Sequence, residues 1–359
     1  KGYQALEHLS CVMALVVNGE PASSASSGDS VQIVLDTTPF YGEGGGQVGD
    51  RGVLSGTEVI VAIESVSRSR DVFVHAGRIE RGQLAVGDTV NAQVDQLCRR
   101  RAQANHTATH LLQAALKQVV DPDIGQAGSL VNFDRLRFDF NLSKAVTAEQ
   151  LVQIETLING WIANAHTLEV QEMAIDKAKA AGAVAMFGEK YADVVRVVDV
   201  PGVSMELCGG THVANTAEIG LFKIVSESGV AAGIRRIEAV AGPAVLSYLN
   251  ERDAVVKQLG DRFKVQPGEI VDRVKALQDE LKSSAKALVA AQAELAVAKS
   301  AVLASKALGT GPFQLLVERL DGVDGAGLQG AAQSLADQLG DGAAVVLGGL
   351  PDPADIGKV

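Results

Sequence analysis

The chain has 359 residues, of which 47% are hydrophobic, 21% charged and 4% aromatic, and its formal net charge is −11. That length and apolar content predict two to four domains with real cores. The acidic balance counts against a chain coated in nucleic acid and leaves only local basic clusters to meet phosphates. Three widely spaced cysteines exclude a disulfide framework and point to a reducing cytoplasm, and no uninterrupted run of about 18 apolar residues marks a membrane span.

The first residues, Lys1-Gly-Tyr-Gln-Ala-Leu-Glu7, show neither a signal peptide nor an initiating Met, and read as the tail of a helix cut from something longer. From residue 11 to about residue 95, short apolar runs alternate with turn residues. Val31–Leu35, Gly52–Leu54, Val59–Ile63, Val72–His75 and Thr89–Val94 have the spacing of strands in a small antiparallel β-barrel. Within it, Thr38-Pro-Phe-Tyr-Gly-Glu-Gly-Gly-Gly-Gln-Val-Gly-Asp-Arg-Gly52 is rich in glycine. No Gly-Lys-Ser/Thr follows, so it is not a P-loop. Composition alone favours a barrel turn over a loop whose amides face the 3′ end of a nucleic acid.

At residue 96 the period changes, and residues 96–242 read as an α+β domain. Arg99 to Val120 has the pattern of one amphipathic helix stopped by Asp121-Pro122. Strands are expected at Leu130-Val131 and Leu136–Phe140, followed by a capping box at Thr147-Ala-Glu-Gln150 that opens a core-facing helix. A further helix is expected over 176–190, then strands at 194–200, 204–207, 219–225 and 234–240. Residues 243–308 form a helical segment. After Gln266-Pro-Gly268, the positions Ile270, Val274, Leu277, Leu281, Ser284, Leu288, Ala291, Leu295, Ala298 and Val302 keep a heptad spacing. Small residues on one seam leave an antiparallel hairpin or a dimer as open as a Leu zipper. Residues 309–359 predict strand, helix and strand, a small α/β domain that reads as truncated.

Two tight doublets stand out among the 6 His and 3 Cys. His106 and His110 lie four apart on one helix face. Cys208 and His212 flank a Gly-Gly turn at a strand end, which lets thiol and imidazole converge. Together they are the donor set of a tetrahedral zinc site, Zn2+ bound by His106, His110, Cys208 and His212. The bland alternatives are two ordinary helix histidines and a small buried cysteine. Cys11 and Cys98 read as packing residues. The basic clusters Arg99-Arg100-Arg101 and Arg235-Arg236, with Arg135 and Arg137, are candidates for nucleic-acid phosphates, each weighed against an ordinary solvated face.

These motifs resemble alanyl-tRNA synthetase, in the region that follows its aminoacylation and tRNA-recognition domains. The residues carrying the resemblance are Thr38–Tyr41 with Glu43 and Gly45-Gly46-Gln47, His106–Leu111, Gln126–Val131, Leu136–Phe140, Phe187-Gly-Glu-Lys-Tyr191, Glu206–His212 and Gly233–Ala239. Gly42 and Gly44 depart from the family, which usually has Ala and Ser there.

The resemblance implies an elongation-factor-type barrel (1–95), an editing domain (96–242), a helical dimerisation segment (243–308) and a truncated tRNA-contacting end domain (309–359). It implies a cytoplasmic protein whose partner is tRNA(Ala), and hydrolysis of the ester in seryl- or glycyl-tRNA mischarged at the 3′ end. It maps zinc ligation onto the two doublets and the editing glutamine onto Gln126. Cys208 is expected to act in catalysis as the exchangeable ligand, with Gln126 and the amides near Gly209-Gly210 orienting water or oxyanion. ATP and Mg2+ would belong only to an aminoacylation domain outside this sequence. Two further readings are a free-standing deacylase that edits in trans, and a non-catalytic zinc-stabilised tRNA-binding and dimerisation module.

Overall fold

The computed structural model describes residues 2–3, 5–185, 191–310 and 312–350. The chain divides into two compact units, residues 1–252 and 253–359.

The first unit begins with strands β1 (Glu7–Val17), β2 (Glu20–Ala22), β3 (Ser24–Ser26), β4 (Ser30–Leu35), β5 (Gly52–Ser55), β6 (Ile60–Ser69), β7 (Val72–Arg81), β8 (Gln83–Ala85) and β9 (Thr89–Val94). Six of them close a ring in the order β1-β4-β7-β6-β5-β9, because β9 returns to pair antiparallel with β1. Closure removes the edge that an open sheet would leave unpaired. Alternate positions such as Val31, Ile33 and Leu35 point inward to join Leu54, Val61, Ile63, Ile79 and Val90 in one apolar core. The helix tail expected at the start is corrected. Gly2 and Tyr3 form a turn, and the chain is extended from Glu7, where it pairs with β9 from Glu7↔Gln93 onward.

Next come α1 (Gln96–Val119), β10 (Gln126–Val131), β11 (Leu136–Asn141), α2 (Ala148–Ala163), β12 (Glu169–Ala174), α3 (Ile175–Ala180), β13 (Val194–Val200), β14 (Ser204–Leu207), β15 (Phe222–Ala231) and β16 (Ile234–Ala241). Asp95 caps α1 by accepting from the amides of Leu97 and Cys98, at 2.9 and 3.0 Å. The Thr147/Gln150 capping box forms at the start of α2. One antiparallel sheet runs β10-β11-β16-β15 and a second runs β12-β13-β14. Leu111, Leu112 and Leu116 of α1 pack with Phe138 and Phe140 of β11 and with Ile154 and Ile158 of α2. Each such buried side chain contributes about 1.5–3 kcal/mol.

Two expectations change here. The helix expected over 176–190 is the single turn-and-a-half of α3, ended by Gly182 in the left-handed region at φ +91°. Phe187-Gly-Glu-Lys190 lies outside the described residues. The helix expected to be amphipathic, α1, is instead buried on every side from Ala104 to Gln113, so its polar side chains must find partners inside the protein.

The boundary read at residue 95 falls between β9 and α1, and that at 242 falls between β16 and helix α4 (Pro243–Phe263). In the second unit, α5 (Ile270–Ala301) follows the heptad positions. Val274, Leu281, Leu288 and Leu295 are exposed along it. Strands β17 (Leu308–Thr310), β18 (Phe313–Arg319) and β19 (Ala343–Gly348) form a sheet with α6 (Gly325–Leu339) between the last two, which are parallel. The span 267–306 is apolar enough on average to cross a membrane by length and composition. Alanine supplies much of that apolarity, Glu294 and Lys299 interrupt its later part, and Ala296 packs with Leu320, Val323 and Ala331 in the core of the unit.

Candidate metal centre and active site

The two doublets meet. One ligand atom from each of His106, His110, Cys208 and His212 lies within 4.8 Å of the others, and all four side chains are buried or partly buried. The helix α1 delivers the first pair, and the turn after β14 delivers the second. Cys208 Sγ is 3.4 Å from His106 Nε2 and 3.3 Å from His212 Nε2. A tetrahedral zinc with its usual Zn–S and Zn–N bonds places sulfur and nitrogen about 3.5 Å apart. The rear nitrogens of both rings are held elsewhere. His106 Nδ1 meets Gln47 Oε1 at 2.7 Å and His212 Nδ1 meets Thr107 Oγ1 at 3.1 Å, the outer support that metal-bound imidazoles require. Among the described residues, His110 Nδ1 is buried without a hydrogen-bond partner. A soft donor set, matching spacings and an orphaned ring nitrogen together fit a bound metal.

Electrostatics agree. Burial pushes the Cys208 thiol up, but His106, His212 and His110 outweigh it and hold the group well below the ordinary thiol range, as a thiolate. Burial lowers His212 to about 3, so its ring is neutral. Burial also opposes charge on His110, yet Glu206 and then Cys208 raise it to about 9. Glu206 Oε2 sits 3.7 Å from His110 Nε2 and its other oxygen accepts from Ser204 Oγ at 2.8 Å. A protonated imidazole beside a buried thiolate is the arrangement in which a divalent ion displaces the proton.

A cavity of about 360 Å3 opens on this cluster, lined by His106, His110, Cys208, Gln126, Thr109 and Glu206 from the α+β domain and by Tyr41 to Gly45, Arg68 and Phe73 from the barrel. Gln126 opens β10 and donates from Nε2 to Ser129 Oγ at 2.9 Å, leaving its carbonyl oxygen to accept. The Gly210 amide donates to Cys208 Sγ, 3.4 Å away, and stabilises the thiolate, which corrects the expectation that it faces water or an oxyanion. Thr109 lines the cavity with its hydroxyl given to the Asn105 carbonyl, whereas Thr107 is fully buried against His212.

The glycine loop is more than a barrel turn. Its backbone pairs with β10, Val131 N donating to Gly46 O at 2.7 Å and Val48 N to Val131 O at 3.0 Å. Gln47 is completely buried between the ligand elements. Sequence reasoning had quoted Gln47 and Glu206 without a role, because their partners are distant in the chain. Arg196 was missed altogether. Its Nη1 donates to the carbonyls of Cys208 and Gly210, both at 2.8 Å, and its guanidinium stacks over Tyr3, clasping the ligand turn.

The expected phosphate contacts divide. Arg99 is corrected: only 3% exposed, it is locked to Asp50 and to the carbonyls of Gly2 and Pro39. A buried guanidinium keeps such partners because leaving Asp50 alone would cost several kcal/mol. Arg235 is paired two-fold with Glu227 and Arg236 with Asp139, so their charges are internally matched. Arg100 and Arg101 are exposed.

Comparison with known proteins decides the kinship. The family model for class II (A) tRNA synthetases matches residues 1–98, and that for the threonyl and alanyl tRNA synthetase second additional domain matches residues 195–238. Over its whole length the chain is 85% identical to the alanine–tRNA ligase of Synechococcus sp. (strain CC9902). It is 86% identical to that of Parasynechococcus marenigrum (strain WH8102) and 78% identical to that of Prochlorococcus marinus (strain MIT 9303). The chain belongs with the alanine–tRNA ligases. It spans about 40% of the length of these relatives. The second-additional-domain match begins in β13 and ends in β16, and so contains Cys208 and His212 but neither histidine of α1.

Proposed function

We propose that this part of an alanine–tRNA ligase proofreads: it hydrolyses the ester joining serine or glycine to the 3′ end of tRNA(Ala), at a zinc site made by His106, His110, Cys208 and His212. The observation that carries the reading is the convergence of those four donors, three of which line a cavity large enough for a small acyl ester and its ribose. Proofreading answers a physical limit, since a pocket shaped for alanine rejects neither a smaller side chain nor one bearing an extra hydroxyl strongly enough.

Bound zinc supplies Lewis acidity at the ester carbonyl or at a water. The chain's own groups do the rest. Gln126 offers its carbonyl oxygen to orient the attacking water, and Cys208 would be the exchangeable member of the set that holds the metal. For serine, its hydroxyl is matched by polar groups in the cavity that alanine would leave unpaired, an argument that does not extend to glycine. Barrel, editing domain, helical segment and end domain take the ranges 1–95, 96–242, 243–308 and 309–359. Arg100 and Arg101, as the exposed members of the basic set, meet tRNA backbone phosphates, and the exposed seam of α5 pairs helices in a homodimer. The site lies in the cytoplasm with the rest of translation. A second reading, a zinc-stabilised tRNA-binding module without catalysis, is favoured by one observation: the cluster offers four protein donors, the number that closes a structural zinc site.

The chain incubated with seryl-, glycyl- and alanyl-tRNA(Ala) separates the two. Proofreading predicts release of serine and glycine while alanine stays attached, and Cys208→Ala abolishes that release with the circular dichroism unchanged. A chain that spares all three esters is a binding module, and full activity in Cys208→Ala overturns the assigned role of the thiol.

A further inference from the structure

Gln47 takes no part in the ester chemistry, yet it is wholly buried beside the metal ligands while belonging to the barrel's loop. Its side-chain amide makes three contacts. Thr211 N donates to Oε1 at 2.9 Å, Nε2 donates to Thr211 Oγ1 at 2.9 Å, and Oε1 lies 2.7 Å from His106 Nδ1. A peptide N–H can only donate, so the atom facing Thr211 N must be the amide oxygen, and the two ends of the side chain are told apart. An amide oxygen can only accept, so His106 Nδ1 must carry a hydrogen. In the neutral, metal-binding form of the ring the lone pair is then on Nε2, the atom 3.4 Å from Cys208 Sγ. Nothing comparable constrains His212, because the Thr107 hydroxyl opposite its Nδ1 both donates and accepts.

Resting on the metal site of the preceding subsection, we propose that Gln47 is a positioning residue that holds His106 as the Nδ1–H tautomer and aims Nε2 into the ligand cluster. The barrel thereby sets the metal affinity of a site whose four ligands all belong to the neighbouring α+β domain. The backbone pairing of Gly46 and Val48 with Val131 keeps the amide in place. Gly210 leaves room for the contact, since a Cβ there would lie 3.0 Å from Gln47 Oε1.

The test compares three variants of the whole chain. Gln47→Met keeps length but removes the acceptor, Gln47→Glu keeps an acceptor oxygen at the same reach, and Thr211→Val removes only the hydroxyl. Zinc affinity is read by chelator competition, and the His106 tautomer by long-range 1H–15N correlation of 15N-histidine protein with and without zinc. Gln47→Met is expected to weaken zinc binding by about 10–100-fold, the usual effect of losing such a partner, and to lose the pure Nδ1–H signature. Gln47→Glu and Thr211→Val are expected to keep both. Wild-type affinity and tautomer in Gln47→Met overturn the assignment, as does equal weakening in all three variants, which would mean loop packing alone. If Gln47→Met does not fold, Gln47→Glu decides, since loss of affinity and tautomer in that folded variant also overturns it. If the wild-type chain takes up no zinc, the metal reading fails, and the tautomer in zinc-free protein still judges Gln47.

Discussion

A Cβ added to Gly210 would lie 1.9 Å from Cε1 and 2.1 Å from Nδ1 of His106, whereas one on Gly209 would find nothing nearer than the Tyr3 hydroxyl at 4.0 Å. The two adjacent glycines therefore differ in kind. Gly210→Ala is expected to drive the His106 ring out of the cluster and weaken zinc binding at least about ten-fold, as loss of ligand support does. Gly209→Ala is expected to bind like wild type. Chelator competition on both variants checks this, and equal affinities would refute it. The sequence showed a flexible Gly-Gly turn but not which glycine was indispensable, because the obstructing ring comes from a helix about a hundred residues earlier. Arg99 teaches the same lesson. Three arginines in a row read as surface charge, and only the fold shows one of them turned inward onto Asp50.

The element that joins the two halves of the first unit is the loop 38–52. It is fastened at one end by Thr38 to His75 of β7, in its middle by Gln47 to the ligand turn, and at its other end by Asp50 to Arg99 of α1. His75 is fully buried. Its Nδ1 donates to the Ile33 carbonyl at 3.0 Å, and Thr38 Oγ1 sits 2.8 Å from its Nε2. Burial pushes its pKa down, with the Ile33 contact opposing, so the ring is neutral in the folded barrel. The unfolded ring gains a proton below about pH 6.5 while the folded one resists. More protons on the unfolded state means that stability falls with pH in that window, by at most about 1.4 kcal/mol per unit, and levels off once the folded ring also titrates. Denaturant midpoints at pH 7 and pH 5 should therefore drop further for wild type than for His75→Asn, whose neutral amide does not titrate. Identical drops would show that His75 contributes nothing to the acid sensitivity. The alternation that builds β4 and the capping box of α2 were legible, since each depends on neighbours a few residues away, whereas the Asp95 cap of α1 was found only in the structure. The all-round burial of α1 was not, because polar His106, Thr107, His110 and Gln113 interrupt its apolar stripe and find their partners elsewhere.

At the scale of the whole molecule, α5 leaves Leu281 at 72% and Leu288 at 59% exposure. Such a row of exposed leucines on a heptad calls for a second helix. Sedimentation of the chain is expected to give a dimer of the 37.3 kDa protomer, and Leu281→Lys with Leu288→Lys is expected to return it to monomer. A wild-type monomer at tens of micromolar would end the pairing assignment.

The sequence by itself determined the His-His and Cys-His doublets, the heptad of α5, five of the six strands in the barrel's ring and the capping box of α2. These follow from residue chemistry and from periodicities that act over a few positions. Tertiary structure alone decided that Arg99 is internal, that Arg235 and Arg236 are already paired, and that a barrel glutamine dictates which nitrogen of His106 faces the thiolate. Those outcomes depend on which distant segments close-pack against one another, and no local pattern encodes that meeting.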